Sequence, residues 1–517
     1  MSSLPKGWAQ ACLPDLISHN GVFIDGDWIE SKDQDPSGDV RLIQLADIGD
    51  GRYVNKSNRF LAHQKAIDLG CTILKIGDVL IARMPDPLGR ACIFPGDNKL
   101  AVTVVDVCVV RGQQEHFDRS WLMYFINSSE FRSDIHSLQS GSTRKRISRG
   151  NLSTLKLPIP PRAEQTRIVA KLEELLSDLD AGVAELKAAQ KKLVQYRQSL
   201  LKAAVEGALT AEWRASHSPA ETGAELLERI LKTRRERWEA KQLAKFAEQG
   251  KAPPKGWNDK YPEPVKSDAP GLPDLPSGWA WASMDTLILD GPQNGLYLPA
   301  SKYGTGTPIL RIDDFQIGYC RPRTALNLVE ATEDILSTYT LSAGDMVINR
   351  VNSMTHLGKS LVIGASMNGV LFESNMMRMN LADGIASDYV GHYLGSMIGR
   401  ARLIHDAKWA VNQASINQQD VKRTPVPIPA TLEQLEIVRL VNDQMSAIDQ
   451  LGVSIQTNLK QSAAQRQNIL KAAFSGQLVP QNPDDEPAEV LLARIRAERA
   501  VNTVKAARNQ RSRKEPA

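Results

Sequence analysis

The sequence predicts an α+β protein: two strand-rich mixed α/β domains joined by two long helices that pair as an intramolecular coiled coil, with a pseudo-two-fold relation where the pairing is antiparallel. Three observations predict it. A segment occurs twice without a gap, 269 residues apart, position 157 answering to 426. Leucines recur at sevens behind the first copy. Each copy is preceded by short β-branched runs set between turn residues. Internal repeats fix architecture before any finer reading.

The first copy runs Leu157-Pro158-Ile159-Pro160, Glu164-Gln165, Ile168-Val169, Asp180, Arg197-Gln198, Leu201-Lys202-Ala203-Ala204 and Gly207. The second runs Val426-Pro427-Ile428-Pro429, Glu433-Gln434, Ile437-Val438, Asp449, Arg466-Gln467, Leu470-Lys471-Ala472-Ala473 and Gly476.

Length and composition bound the reading. At about 150 residues per domain, 517 residues leave room for two domains and two helical segments. A hydrophobic fraction of 42% with 24% charged residues is that of an ordinary globular chain. The formal charge of +4 permits nucleic-acid binding without arguing for it. Cys12, Cys71, Cys92, Cys108 and Cys320 form no CxxC pair, so buried free thiols are expected in place of a zinc site or disulfide frame. Met-Ser-Ser-Leu-Pro at the start has neither a basic nor an apolar targeting region. The apolar stretch from Leu100 to Val110 is broken by Asp106 and too short to span a bilayer. A cytoplasmic protein with no membrane partner is expected.

Taken in order, residues 1–157 form the first domain. Val22-Phe23-Ile24, Leu42-Ile43-Gln44-Leu45, Val79-Leu80-Ile81-Ala82 and Val102 to Val110 are its strands. Residues 158–206 are the first long helix, since the preceding prolines end the domain in extended backbone. Leu172, Leu179, Leu186, Leu193 and Leu200 make its seam, with Ile168, Leu175, Gly182, Ala189, Tyr196 and Ala203 as the companion row. Residues 207–274 are a connector: a charged helix from Ala224 to about Glu248, then a Pro-rich linker. Residues 275–425 repeat the first domain loosely. Leu4-Pro5-Lys6-Gly7-Trp8 returns as Leu275-Pro276-Ser277-Gly278-Trp279, and Leu74 through Gly77-Asp78 to Arg83 returns as Leu341 through Gly344-Asp345 to Arg350. Residues 426–480 are the second long helix, with Val441, Ile448, Ile455, Ser462 and Ile469 as seam and Ile437, Gln444, Leu451, Asn458, Gln465 and Ala472 beside it. Residues 481–517 are a basic tail, helical or disordered, whose Leu491-Leu492-Ala493-Arg494-Ile495 echoes Leu226-Leu227-Glu228-Arg229-Ile230.

A heptad seam needs a partner helix, and each copy supplies one for the other. Paired antiparallel, helices of about 44 residues and roughly 66 Å put the two domains at opposite ends. Paired parallel, they would put both at one end.

PIPxxxEQ, then IV, then a heptad helix ending RQxxLKAAxxG, present twice, is similar to the specificity subunit of type I restriction-modification enzymes. So are Asp25-Gly26-Asp27-Trp28-Ile29 and the two LPxGW openings. The resemblance covers nearly the whole chain. It implies two target recognition domains, each reading half of a bipartite site on double-stranded DNA. The helical repeats would form an antiparallel coiled coil that spaces the half-sites and docks two modification subunits. Adenine methylation and cleavage would belong to those and to restriction subunits, which use S-adenosylmethionine, ATP and Mg2+; this chain would bind no cofactor and be non-catalytic. The pattern departs in two places. Asp290-Gly291-Pro292-Gln293 stands where the first domain has its DGDWI run, and the connector carries an extra PPKGW from Pro253 to Trp257.

No Asn-Pro-Pro-aromatic run for amino methylation is present, and no HxxxH or HExxH. Gly358-Lys359-Ser360 resembles the end of a P-loop, but Ser353 stands where the loop needs glycine. DNA-contact candidates are Arg144, Lys145, Arg146 and Arg149 in the first half, with Lys408, Asn412 and Gln413 as their counterparts. A second pair of loops offers Arg83 and Arg90, and Arg350, Asn352 and Lys359. Cations suit phosphates or guanine edges, and amides suit adenine. The competing reading for each is a charged surface loop. Glu164-Gln165 and Glu433-Gln434 suit helix N-termini, and the repeated Arg-Gln pairs suit mixed packing and subunit docking. The rival function is a coiled-coil scaffold whose two domains bind proteins and not DNA.

Overall fold

The computed structural model describes residues 4–142, 144–266, 271–316, 319–410 and 413–512. The chain divides into two compact units, residues 1–187 with 456–517, and residues 188–455. Both long helices run 44 residues, Arg162–Val205 (central) and Thr431–Phe474 (distal), so each contributes to both units.

In the first unit, Ala9–Cys12 pairs antiparallel with Lys156–Ile159, Ala9 opposite Ile159. A four-stranded antiparallel sheet follows the order Val22–Asp25, Val107–Arg111, Val79–Ala82, Ala91–Ile93. A three-stranded sheet runs Phe60–Leu61, Val40–Ile43, Leu100–Thr103, its last pair parallel. The second unit repeats this plan. Ala280–Ser283 pairs with Pro425–Ile428, Ala280 opposite Ile428. Its sheets run Ile288–Asn294, Met376–Leu381, Met346–Asn349, Ser360–Val362, and Asn327–Val329, Tyr303–Leu310, Leu371–Phe372. The Pro-Ile-Pro segments are thus edge strands, where a missing N–H costs no ladder bond.

The repeated motifs are repeated hydrogen bonds. Trp8 Nε1 donates to Glu164 Oε2 at 3.0 Å, and Trp279 Nε1 to Glu433 Oε2 at 3.0 Å. Gln165 takes the Asp118 amide at 2.8 Å and donates to the Pro160 carbonyl at 3.0 Å; Gln434 does the same with Ala386 and Pro429 at 2.8 and 3.0 Å. The glutamates and glutamines of the repeat therefore pin domain to helix. Gly77 and Gly344 have φ of +90° and +91°, a region costly for any side chain. The following Asp78 and Asp345 close those turns by accepting the Lys75 and Ser342 amides, each at 2.8 Å.

Within each unit the long helices lie antiparallel. In the first, Ile168, Leu172 and Leu176 share a core with Leu470, Ala473 and Phe474, and farther along Asp180 pairs with Arg466 at 2.6 Å. In the second, Leu201, Ala204 and Val205 share a core with Ile437 and Val441, and Arg197 pairs with Asp449 at 2.5 Å. Of the seam residues, Leu172, Leu200, Val441, Ile448 and Ile455 are buried, and Leu179, Leu186, Leu193 and Ile469 half-buried. The companion rows hold at Ile168, Ala189 and Ile437, and elsewhere shift by one residue. Leu176 and Ala204 are buried and Val183 and Arg197 half-buried, whereas Gly182 and Tyr196 are exposed. Met445, Gly452, Leu459 and Arg466 are half-buried, whereas Gln444, Leu451, Asn458 and Gln465 are exposed. A row at sevens does not say which of its flanks the partner covers; spacing of four then three is what this packing selects.

The connector and the tail each begin as a helix packed on a domain. The helix Gly223–Glu248 starts with a 2.7 Å bond from the Gly223 amide to the Gly278 carbonyl and buries Leu226, Leu227 and Ile230. The helix Ala488–Ser512 starts with the matching bond, Ala488 amide to Gly7 carbonyl at 2.9 Å, and buries Leu491, Leu492 and Ile495. The basic tail thus begins on a packed helix, and the leucines and isoleucine of the echoed Leu-Leu-x-Arg-Ile are core. The extra PPKGW folds onto the connector helix: Trp257 stacks on Trp238 with centroids 5.8 Å apart and meets Phe246 edge-on at 6.0 Å. Among the described residues no helix is long and apolar enough to cross a membrane.

Candidate nucleic-acid interface

In each half the site grows from a strand that ends at an arginine. The Arg83 carbonyl accepts the Ile147 amide at 3.1 Å, and Arg83 Nη2 donates to the Val105 carbonyl at 2.5 Å. In the second half the Arg350 carbonyl accepts the Ile416 amide at 2.9 Å, and Arg350 Nη1 donates to the Ser374 carbonyl at 3.2 Å. These bonds bring together the two segments that the sequence singled out separately. In the first half the second segment is a tight hairpin, Ser140 bridged to Arg146. In the second it is a small sheet in which Gln413–Ser415 lies between Val351–Asn352 and Lys408–Ala410.

Two candidates are structural cations. Arg90 is 7% exposed and gives four N–H bonds to backbone carbonyls of Ile48, Met84, Pro87 and Leu45, at 2.6, 3.1, 3.0 and 2.7 Å. Lys359 is 4% exposed and donates to Ile312 and Phe315 carbonyls and to Gln316 Oε1, at 3.4, 3.0 and 3.2 Å. Burial pushes the pKa of both groups below the ordinary value, because it strips water from the charged form. With their donors engaged, neither can reach a phosphate, and both leave the DNA-contact set. Arg90 holds the loop before it, 84–89, through the Met84 and Pro87 carbonyls, whereas Lys359 holds the segment 312–316. The loop 351–358 is held by Arg400, which bonds the Leu357 and Met354 carbonyls. Arg83 is held in a similar way, with Asp25 Oδ1 at 3.3 Å from its Nε.

What faces outward differs between the halves. Arg144, Lys145 and Arg146 are exposed on the first hairpin. Arg149 is tied to the Phe23 carbonyl at 2.9 Å and to Asp25 at 3.6 Å, with 45% of its side chain exposed. In the second half Lys408 and Gln413 are exposed, Asn352 is half-buried with its Oδ1 on the Ser353 amide at 2.7 Å, and Asn412 lies outside the described residues. Trp409, beside Lys408, is 73% exposed and was not among the expected contacts.

A further pair escaped the sequence reading. Gly26 and Asp27 bond the Val107 and Thr103 carbonyls, each at 2.8 Å; Gly295 and Leu296 bond Met376 and Phe372 at 3.0 and 2.9 Å. Both glycines sit where a Cβ would lie 2.2 Å from a carbonyl oxygen, of Val104 or Glu373. The counterpart of Asp25-Gly26-Asp27-Trp28 is therefore Asn294-Gly295-Leu296-Tyr297, at the repeat's own offset, and not Asp290-Gly291-Pro292-Gln293. Trp28 and Tyr297 occupy equivalent positions, 71% and 80% exposed. Carrying the offset of the helices back into the domains would have found them. Among the described residues no group of three His, Cys, Asp or Glu could hold a metal.

Comparison with known proteins agrees with this geometry. Residues 5–191 match the type I restriction modification DNA specificity domain. The chain is 26% identical over 415 residues to the type I restriction enzyme EcoKI specificity subunit of Escherichia coli K12, covering 78% of this chain and 77% of that one. It is 27% identical over 411 residues to the StySPI specificity subunit of Salmonella potsdam, covering 76% and 75%. Its fold matches a chain from a solved assembly of a type I restriction-modification system with a TM-score of 0.64 at 17% identity, covering 92% of this chain and 100% of that one. The duplicated frame and its helical repeats thus go with a chain that is similar in sequence to type I restriction enzyme specificity subunits and in fold to a chain of a type I restriction-modification assembly.

Proposed function

We propose that the chain is the sequence-specific DNA-recognition and scaffold subunit of a type I restriction-modification complex. Each domain reads one half of a bipartite, asymmetric site on double-stranded DNA. Two modification subunits, using S-adenosylmethionine, methylate adenine, and restriction subunits, using ATP and Mg2+, cleave; this chain is not the catalyst. Its work on DNA belongs in the cytoplasm.

One observation carries the reading. The same hydrogen-bonded frame is built twice, yet one half presents Arg144, Lys145 and Arg146 where the other presents Lys408, Trp409 and Gln413. A frame kept with unlike surfaces is what two half-sites of different sequence require, since phosphate contacts position a reader and base contacts specify it. Arg144, Lys145, Arg146, Arg149, Lys408, Asn412, Gln413 and Asn352 remain the proposed contacts, joined by Trp28, Tyr297 and Trp409.

Replacing residues 1–157 by the equivalent domain of another specificity subunit tests this. Methylated sites, mapped with the modification partner present, are expected to change in one half of the target only. A change in both halves would contradict two independent readers.

A further inference from the structure

The two halves treat one buried carboxylate differently. In the second half Glu433, 2% exposed, uses both oxygens. Its Oε2 accepts Trp279 Nε1; its Oε1 accepts Arg214 Nη1 at 2.5 Å and Thr210 Oγ1 at 2.7 Å. The Arg214 guanidinium also donates to the Gly207 carbonyl at 2.9 Å and lies 5.8 Å from the Trp279 ring centroid. Arg214 comes from a short helix, Ala211–Ser216, between the end of the central helix and the Gly223–Glu248 helix.

In the first half Glu164, 1% exposed, keeps the Trp8 bond, but its Oε1 is buried with no hydrogen-bond partner. The link from Gly476 to the helix at Ala488 is shorter than that from Gly207 to Gly223, and the helix carrying the arginine is missing from it. Where the guanidinium would sit there is a cavity of about 490 Å³ lined by Trp8, Glu164, Pro161, Asn482, Asp485 and Glu489. Lys6 also stands on its wall, and Arg167, the nearest guanidinium along the helix, is engaged by Asp485 at 2.6 Å.

We infer that this cavity is a binding site for a guanidinium group supplied from outside the chain, held by Glu164 Oε1 against the face of Trp8. The Glu433–Arg214–Trp279 arrangement is its internal template. A buried carboxylate oxygen without a donor costs its full desolvation. A guanidinium satisfies it with directed N–H bonds and stacks on indole, which an ammonium does less well. The carboxylate of Glu489 on the cavity wall adds to the attraction, whereas that of Asp485 is already paired with Arg167. The site does not depend on how either domain reads DNA.

The full chain is titrated calorimetrically with ethylguanidinium. Saturable binding to one site is expected, weakened at least about tenfold in E164Q, a change worth about 1.4 kcal/mol. E433Q, whose site is already filled by Arg214, is expected to bind ethylguanidinium as the wild type does while melting at a lower temperature. Should E164Q fail to fold, E164D, which withdraws the carboxylate from the cavity, gives the same readout. Free L-arginine binding as tightly as ethylguanidinium identifies a small-molecule source. Weak binding of free arginine, with association of a modification subunit reduced about tenfold by E164Q, identifies an arginine of that partner. No saturable binding, or equal binding by wild type and E164Q, overturns the inference.

Discussion

Arg466 Nη1 lies 2.6 Å from Asp180 Oδ1, and one repeat away Arg197 Nη2 lies 2.5 Å from Asp449 Oδ1. The arginine of each helical repeat answers the aspartate of the other. A level parallel pairing would set Asp180 beside Asp449 and Arg197 beside Arg466. Two attractive pairs would become two repulsive ones, so these four residues select direction as well as partner. The aspartate and the arginine that occur in both copies therefore pair across the two helices.

The Asp180–Arg466 side chains are 62% and 37% exposed, so solvent screens the pair heavily. A double-mutant cycle is expected to give a coupling of about 0.5 kcal/mol, falling as salt is raised. R466D alone is expected to lower the melting temperature, and D180R with R466D to recover it. Additive effects in the cycle would remove the pair from the account.

Arg90→Ala and Lys359→Ala each orphan several buried carbonyls. Each is expected to cost on the order of 3 kcal/mol of stability by denaturant unfolding. Protein that remains folded should keep the salt dependence of its DNA binding. A shallower salt slope at full stability would return these residues to the DNA-contact set.

Replacing Arg144, Lys145 and Arg146 together by alanine is expected to leave stability nearly unchanged. The slope of log K against log salt should become shallower by about 0.9 for each phosphate that the hairpin no longer neutralises. An unchanged slope would show that the hairpin does not meet the backbone of DNA.

Trp28→Ala and Tyr297→Ala remove side chains that stand mostly in solvent, so melting is expected to shift little. If each covers an apolar base edge or sugar, DNA affinity falls by on the order of 1 kcal/mol, for its own half-site alone. Binding assays on sites mutated in one half separate the two effects.

Burial raises the pKa of the Glu164 carboxyl above its usual 4.5. The folded state then holds that proton more tightly than the unfolded chain does. The stability this contributes is complete below the unfolded pKa and disappears as pH rises through the folded one. E164Q has no such group, so its stability relative to wild type should improve from about pH 4 to pH 7. A constant difference across that range would contradict a penalised carboxylate.

Much of the fold was legible. The offset between copies located both helices, and the Leu172 to Leu200 row located the seam. The companion rows were read one residue off, because Leu175 and Leu176 are equally apolar and only the partner decides which is covered. The site was less legible. Arg90 and Lys359 look like surface cations in a loop, and no pattern around them announces that carbonyls of Leu45, Ile48, Ile312 and Phe315, distant in sequence, converge on them. Trp28 stood within a quoted motif, but its pairing with Tyr297 needed the strand register.

By itself the sequence determined the duplication, the order of domain and helix, and the leucine row of the first long helix. All of these are periodic or covalent facts, and periodicity survives in one dimension. The tertiary structure alone decided which cations are buried, which aromatics stand in solvent, and which of two equivalent glutamates keeps an oxygen without a donor. Those depend on backbone carbonyls and empty space brought together from far apart in the chain, and a carbonyl oxygen carries no mark in the sequence.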